Sequence, residues 1–209
     1  MQNKELFIGS SREGLKYAQK LKELLDIKLQ AYGIECVLWN DPSVFAVGVT
    51  TIESLCKKAN TLKKHGGYAV MIMTPDDEVH VRNEIRYIPR DNVVFELGLF
   101  LGYLGRERTY CVAPSNVNIK MMSDWLGVTN ATYQYAARQG NERLKLTLAN
   151  AANRIVQTID SVERPKVDNN QFEYDNTKGL RNNSQLNKNI FQIIENNIEK
   201  QKEEQVKGV

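Results

Sequence analysis

Long apolar runs, histidine clusters and paired cysteines are all missing from this chain, and each absence excludes a class of protein. No apolar stretch approaches the roughly 20 residues that a membrane-spanning helix needs. The N-terminal MQNKELFIGSS holds too short an apolar segment for the core of an export signal, so a cytoplasmic protein with no membrane partner is expected. His65 and His80 are the only histidines and there is no CxxC, so no metal site is expected. Cys36, Cys56 and Cys111 are odd in number and far apart, which reads as reduced thiols rather than a disulfide framework. Charge of one sign is scarce as well: 28 Lys and Arg against 25 Asp and Glu leave a net +3, too little to indicate nucleic acid. There is no internal repeat. What remains, 42% hydrophobic and 25% charged residues over 209 positions, is an ordinary globular composition with enough chain for a real core.

The chain then alternates strand-like and helix-like segments. Glu5–Ile8 is a short apolar run ending in Gly9-Ser10-Ser11, a strand entering a turn. Ala18, Leu21, Leu25, Leu29 and Tyr32 fall at helical spacing and Gly33 stands where a helix should stop. Glu35–Trp39 reads as a second strand, and Asn40–Thr50 as a loop too long for an idle connection. Thr51 is placed to cap a helix from Ile52 to about Lys63, broken by Gly66-Gly67. Tyr68–Met73 (YAVMIM) is apolar throughout, as in a strand covered on both faces, and Thr74-Pro75-Asp76-Asp77 ends it. From Asp91 to Gly105 apolar residues surround the helix axis, which predicts a largely buried helix, with Gly98, Gly102 and Gly105 allowing close approach of other backbone. Arg108–Ala113 is a fourth strand and Thr132–Tyr135 a short fifth. Leu144, Leu148, Ala152, Ile155 and Ile159 form a last amphipathic helix. Such alternation implies an α/β fold, a central parallel sheet of about five strands with YAVMIM in its middle and helices on both faces. Three parts are expected: a domain over 1–162, a polar linker over 163–184 rich in Asn and Gln, and an amphipathic helix over 185–206 with Leu186, Ile190, Ile194 and Ile198 on one face.

In an open parallel sheet ligands bind beyond the carboxyl ends of the strands. Gly9-Ser10-Ser11-Arg12, the Asn40–Thr50 loop, Thr74–Asp77 and Pro114-Ser115 should converge there. The first of these lacks the Lys-Ser/Thr of a P-loop and is no G-x-G-x-x-G fingerprint. It offers backbone N–H groups, two hydroxyls and an arginine, suited to phosphate or ribose oxygens, or else a plain helix cap by Ser10 or Ser11. Glu96 is the only charged side chain between Asp91 and Gly105, on a helix otherwise almost wholly apolar. A carboxylate there must face a cavity at a raised pKa, or be satisfied by Arg86, Arg90, Arg106 or water.

Five segments together carry a family resemblance: Phe7-Ile8-Gly9-Ser10-Ser11, Val37-Leu38-Trp39-Asn40, Thr74-Pro75-Asp76-Asp77, Pro89-Arg90-Asp91-Asn92-Val93-Val94-Phe95-Glu96-Leu97-Gly98-Leu99-Phe100 and Asp124-Trp125-Leu126-Gly127. In order and spacing, over residues 1 to about 162, they resemble bacterial TIR domains, the TIR-like effectors of the anti-phage CBASS and Pycsar systems. The motif RDNVVFELGLFLG is the specific part; FIGSS alone is weak. The resemblance does not extend to the tail from Glu163.

The resemblance implies a flavodoxin-like TIR fold and an NAD⁺ nucleosidase that breaks the nicotinamide–ribose bond. NAD⁺ is then substrate, and no cofactor is needed. The catalytic role falls on Glu96, and Gly9, Ser10, Ser11, Arg12, Trp39, Asn40, Phe45, Asp76 and Asn92 are the expected substrate-binding residues, with Phe45 or Trp39 stacking on a ring or merely packing the loop. Self-association through an exposed apolar Asn40–Thr50 loop, bearing Val44, Phe45, Val47 and Val49, is expected to activate it, so a homo-oligomer is expected. Related effectors carry a cyclic-nucleotide sensor. The stretch after 162 is too short for one, so either a longer protein or a partner should supply it. Two other classes compete: a non-catalytic TIR adaptor, against which the carboxylate on the apolar helix speaks, and a nucleoside deoxyribosyltransferase-like enzyme, which shares the sheet type and a glutamate. A response-regulator receiver is excluded, because Gly-Ser-Ser stands where that fold needs an acidic pair.

Overall fold

The computed structural model describes residues 4–45, 48–81, 84–120, 129–136 and 140–164. Apart from Glu163, which is helical, and Arg164, the expected linker lies outside them, as do the expected C-terminal helix and the Asp124-Trp125-Leu126-Gly127 motif. Five parallel strands form the central sheet: β1 (Lys4–Ser10), β2 (Ile34–Leu38), β3 (Tyr68–Ile72), and the strands Thr109–Pro114 and Thr129–Tyr133, numbered β6 and β7 because a hairpin intervenes. Their order is β2-β1-β3-β6-β7, the flavodoxin-like arrangement, with YAVMIM at the centre as the sequence implies.

Every residue of β3 is buried, and its alternate side chains feed two separate cores. Tyr68, Val70 and Ile72, with Leu6 and Ile8, meet α1 (Leu15–Leu29) and α4 (Asn141–Glu163). Ala69 and Met71, with Phe7, meet α2 (Thr51–His65) and α3 (Asp91–Leu104) on the other face, where Phe7 stacks on Phe100 with ring centroids 4.8 Å apart. One α1 helical face supplies Tyr17, Ala18, Leu21, Leu25 and Leu29, and one α4 face supplies Leu144, Leu148, Ala152, Ile155 and Ile159, the periodicities read from the sequence. Gly33 follows a short 3₁₀ turn in left-handed conformation (φ 64°), which ends the first helix as expected.

Three expectations are corrected, and one element is additional. The cap of α2 is Thr50, not Thr51. The Thr50 hydroxyl accepts from the Glu53 N–H and the Glu53 carboxylate accepts from the Thr50 N–H, a reciprocal box that only the Thr50–Glu53 spacing can close. Helix α3 is not largely buried: only Val93, Leu97 and Phe100 are fully enclosed, Phe95 is 54% exposed, and a Cβ on Gly98 or Gly102 would meet nothing within 4 Å. The helix is apolar around its axis, but only one side meets the sheet. Within the loop after β2, Val44 is buried and Phe45 half-buried against the α2–α3 core, so neither is an exposed contact; Val49 is half-buried, and Val47 lies outside the described residues. The start of that loop is tied down, with Val44 N donating to Asp41 O and the Asp41 carboxylate accepting from Ser43. Finally, the segment after Thr74 is an antiparallel hairpin, β4 (Asp77–Val81) with β5 (Glu84–Ile88), which the sequence reading passed over. The Asp76 N–H donates to Ile88 O and Lys120 N–H to Tyr87 O, fixing the hairpin at the carboxyl end of the sheet.

Candidate functional site

The carboxyl ends of β1 and β2 open onto a cleft of about 420 Å³ beside the N-termini of α2 and α3. The β1 loop lines it with Ser10, Ser11, Arg12 and Glu13; the β2 loop contributes Trp39 and Phe45; α2 contributes Thr51, and the start of α3 contributes Arg90, Asn92, Val93 and Glu96. Of the residues expected at the site, Ser10, Ser11, Arg12, Trp39, Phe45, Asn92 and Glu96 are brought together. Gly9, Asn40 and Asp76 do not line the cleft. Gly9 lies in β1, where a Cβ would fall 2.3 Å from Met71 Sδ, so a side chain there would displace the Met71 tip. Asn40 is exposed to solvent, and Asp76 accepts from the Arg90 N–H at 3.2 Å.

Local geometry assigns the small polar groups to the protein itself. Trp39 Nε1 donates to Ser10 Oγ (3.0 Å), and Ser10 Oγ donates to Ser11 O (2.9 Å). Ser11 Oγ accepts from Gly14 N (3.0 Å) and pairs with Thr74 Oγ1 (3.0 Å). Both serines are buried, with hydroxyls engaged in holding the β1 loop, and the indole N–H is taken, leaving Trp39 its ring. Ser11 thus plays the capping role weighed in the sequence, for the turn just before α1.

The charges divide sharply. Arg90 donates to Glu13 Oε1 (3.0 Å) and pairs with Asp77 Oδ1 (3.1 Å), so it is shared by two carboxylates. A bond from its own backbone N–H and the Arg90 guanidinium together hold the Glu13 carboxyl below its ordinary range. Arg86 pairs with Glu84. Arg12 has no carboxylate within ion-pair distance among the described residues. Glu96, half-buried, has no hydrogen-bond or ion-pair partner there either, and none of the three candidate arginines neutralises it. Burial alone pushes its carboxyl up to about 7. The arrangement is therefore a carboxylate that titrates near neutral pH on one wall, a guanidinium outside any ion pair among the described residues on the β1 loop, and aromatic rings from the β2 loop.

Glu13, Thr51, Val93 and Arg90 were not singled out as site residues from the sequence. Arg90 stands within the resemblance motif and among the arginines weighed as partners of Glu96, but not as a site residue. Among the described residues there is no group of three or more His, Cys, Asp or Glu able to hold a metal ion, and no helix long and apolar enough to cross a membrane. Cys36 and Cys111 are buried, Cys56 is half-buried, and all three are free thiols.

Residues 5–135 match the family model described as CAP12/Pycsar effector protein, TIR domain. The chain is 35% identical over 155 residues to CD-NTase-associated protein 12 of Flavobacterium daejeonense, covering 74% of this chain and 45% of that protein. It is 32% identical over 170 residues to the Pycsar effector protein PaPycTIR of Pseudomonas aeruginosa, covering 79% and 50%. It is also 32% identical over 159 residues to the Pycsar effector protein BcPycTIR of Burkholderia cepacia, covering 75% and 49%. The chain thus spans about half the length of these relatives. The parallel five-stranded sheet, the cleft at its carboxyl end and these matches agree: this chain belongs to the TIR-domain effector family of the CBASS and Pycsar systems.

Proposed function

We propose that the chain is an NAD⁺ nucleosidase, an effector of anti-phage defence in which Glu96 is the catalytic carboxylate. The observation that carries this reading is Glu96 itself: a half-buried carboxylate without a partner among the described residues, raised to about 7, facing a cleft large enough for part of a dinucleotide. Nicotinamide in NAD⁺ already bears a positive charge, so it leaves with the electron pair of the C1′–N bond and needs no general acid. Two-carboxylate glycoside hydrolysis solves a problem that does not arise here. Glu96 holds the ribose hydroxyls and stabilises the oxocarbenium charge that develops at the anomeric carbon. Water then attacks that carbon and releases a proton, giving ADP-ribose and nicotinamide. Arg12 is the cation available to the pyrophosphate, and Phe45 or Trp39 offers a ring for stacking. Self-association raises activity, and a cyclic-nucleotide signal, the context that the relatives' names indicate, reaches the domain from a sensor elsewhere in a longer protein or from a partner.

Nicotinamide release by the full chain tests the reading. Glu96→Gln keeps the shape and removes the charge, so turnover should fall by about a hundredfold or more while the fold persists. Wild-type turnover in Glu96→Gln would overturn the role of Glu96. Cleavage of deoxynucleosides but not NAD⁺ would replace the reading by a deoxyribosyltransferase, and no cleavage of either at any protein concentration would leave an adaptor.

A further inference from the structure

Arg90 and Glu13 both line the cleft, although they come from segments far apart in the chain. Their pair closes the rim between the β1 loop and the start of the helix that carries Glu96. The two carboxylates on Arg90 bind different nitrogens: Glu13 meets Nη2 at 3.0 Å, and Asp77 meets Nη1 at 3.1 Å. A planar guanidinium can therefore release one partner and keep the other. Its main chain is anchored separately, with the Arg90 N–H on Asp76 Oδ2, so the side chain can turn without moving α3. Both partners of the pair are about half exposed, 46% for Arg90 and 50% for Glu13, and an ion pair so wetted is weak and cheaply exchanged. Arg12, next to Glu13 in the chain and itself without an ion-pair partner, lines the same rim.

We propose that Arg90 is an exchangeable anion clasp, held by Glu13 in the free protein and handed over to the pyrophosphate of the incoming dinucleotide. The inference rests on the NAD⁺ reading and deepens it by naming a specificity device for phosphorylated ligands. A diphosphate that reaches Arg12 arrives beside Glu13. It offers Arg90 a partner of higher charge with oxygens matched to its fork. Asp77 keeps hold of the other nitrogen throughout. Glu13 thus competes with the substrate for Arg90, and it weakens binding only of ligands that carry phosphate.

Calorimetric binding of ADP-ribose, inorganic pyrophosphate and adenosine to the full chain tests this, alongside nicotinamide release. Glu13→Gln, close to isosteric, should bind ADP-ribose and pyrophosphate about three- to fivefold more tightly and leave adenosine unchanged. In an Arg90→Gln background the same substitution should bring no gain. A gain that persists or grows in that background would show simple repulsion between Glu13 and the ligand and overturn the clasp. So would an unchanged or weaker affinity in Glu13→Gln alone, which needs no second background. Wild-type protein that neither binds ADP-ribose nor cleaves NAD⁺ would remove the nucleosidase reading and the clasp with it. Wild-type cleavage with no effect of Glu13→Gln would remove the clasp alone.

Discussion

Glu96 sits on a helix with no other charged side chain after its first residue, and its environment makes its protonation sensitive near neutral pH. Burial raises its carboxyl from 4.5 to about 7, so the folded chain retains a proton that the unfolded chain loses between those values. Stability contributed by this group is therefore intact below about pH 4.5 and declines as pH rises to about 7, with the full deficit above it. Glu96→Gln should match the wild type in thermal melts at pH 4 and exceed it at pH 8, by up to about 3 kcal/mol. Activity should run the opposite way, because the ionised form is the one that stabilises positive charge. The kcat/KM for NAD⁺ should fall about tenfold per pH unit below 7 and be flat above 8; a flat profile from pH 5 to 8 would remove Glu96 as the titrating group. This residue was legible in the sequence because a lone charge on an apolar helix breaks a pattern. Glu13 and Arg90 were not, since exposed charges in loops are commonplace and nothing local records that residues 13 and 90 meet. Gly9 shows the reverse: its place beside the site residues in sequence suggested a ligand contact, whereas its missing side chain makes room for Met71.

Glycines divide the elements into those that need them and those that do not. Gly66 ends α2 in left-handed conformation (φ 68°), while Gly67 is pressed against β1, where a Cβ would lie 2.6 Å from Glu5 O and 2.8 Å from Leu62 Cδ2. Gly67→Ala should destabilise the fold by about 2 kcal/mol, since backbone cannot give way as a side-chain tip can. On α3 the sign reverses. Gly98 and Gly102 have open space at the Cβ position, so each change to Ala should raise stability by about 1 kcal/mol through helix propensity, measured by denaturant midpoint at constant m-value. Destabilisation by Gly98→Ala would mean a contact that the isolated chain lacks. The same comparison explains what was legible at this scale. The faces of α1 and α4 and the all-buried β3 carry strong periodic or continuous apolar signals. The extent of α3 burial was overstated because a helix apolar all round reads as enclosed, and composition cannot say that only one side meets a sheet. The hairpin was missed because its short strands carry exposed Glu84 and Ile85 and bury little, so they lack the signature of a core strand.

At the scale of the molecule, one core of the sheet is closed by α1 and α4 and the other by α2 and α3, and the second borders the cleft. Ile52 at the start of α2 is 57% exposed and Phe95 at the start of α3 is 54% exposed, and their chain neighbours Thr51 and Glu96 line the cleft. Self-association was expected through Val44, Phe45, Val47 and Val49; Val44 and Phe45 are used by the chain itself, Val49 is half-buried, and Val47 lies outside the described residues. Among the described residues Ile52 and Phe95 are exposed apolar groups beside the cleft that can support association, and ordering the α3 start from outside would order Glu96 as well. A competent state populated only in the associated form makes turnover per molecule rise with concentration. Nicotinamide release per molecule should therefore drop over a hundredfold dilution of the full chain, in step with the loss of oligomer seen by light scattering. Phe95→Ser should lower the association and flatten that dependence, leaving the dilute-protein rate near the wild-type value. Constant specific activity across the dilution, in a protein that stays monomeric throughout, would show that the cleft is complete in a single chain.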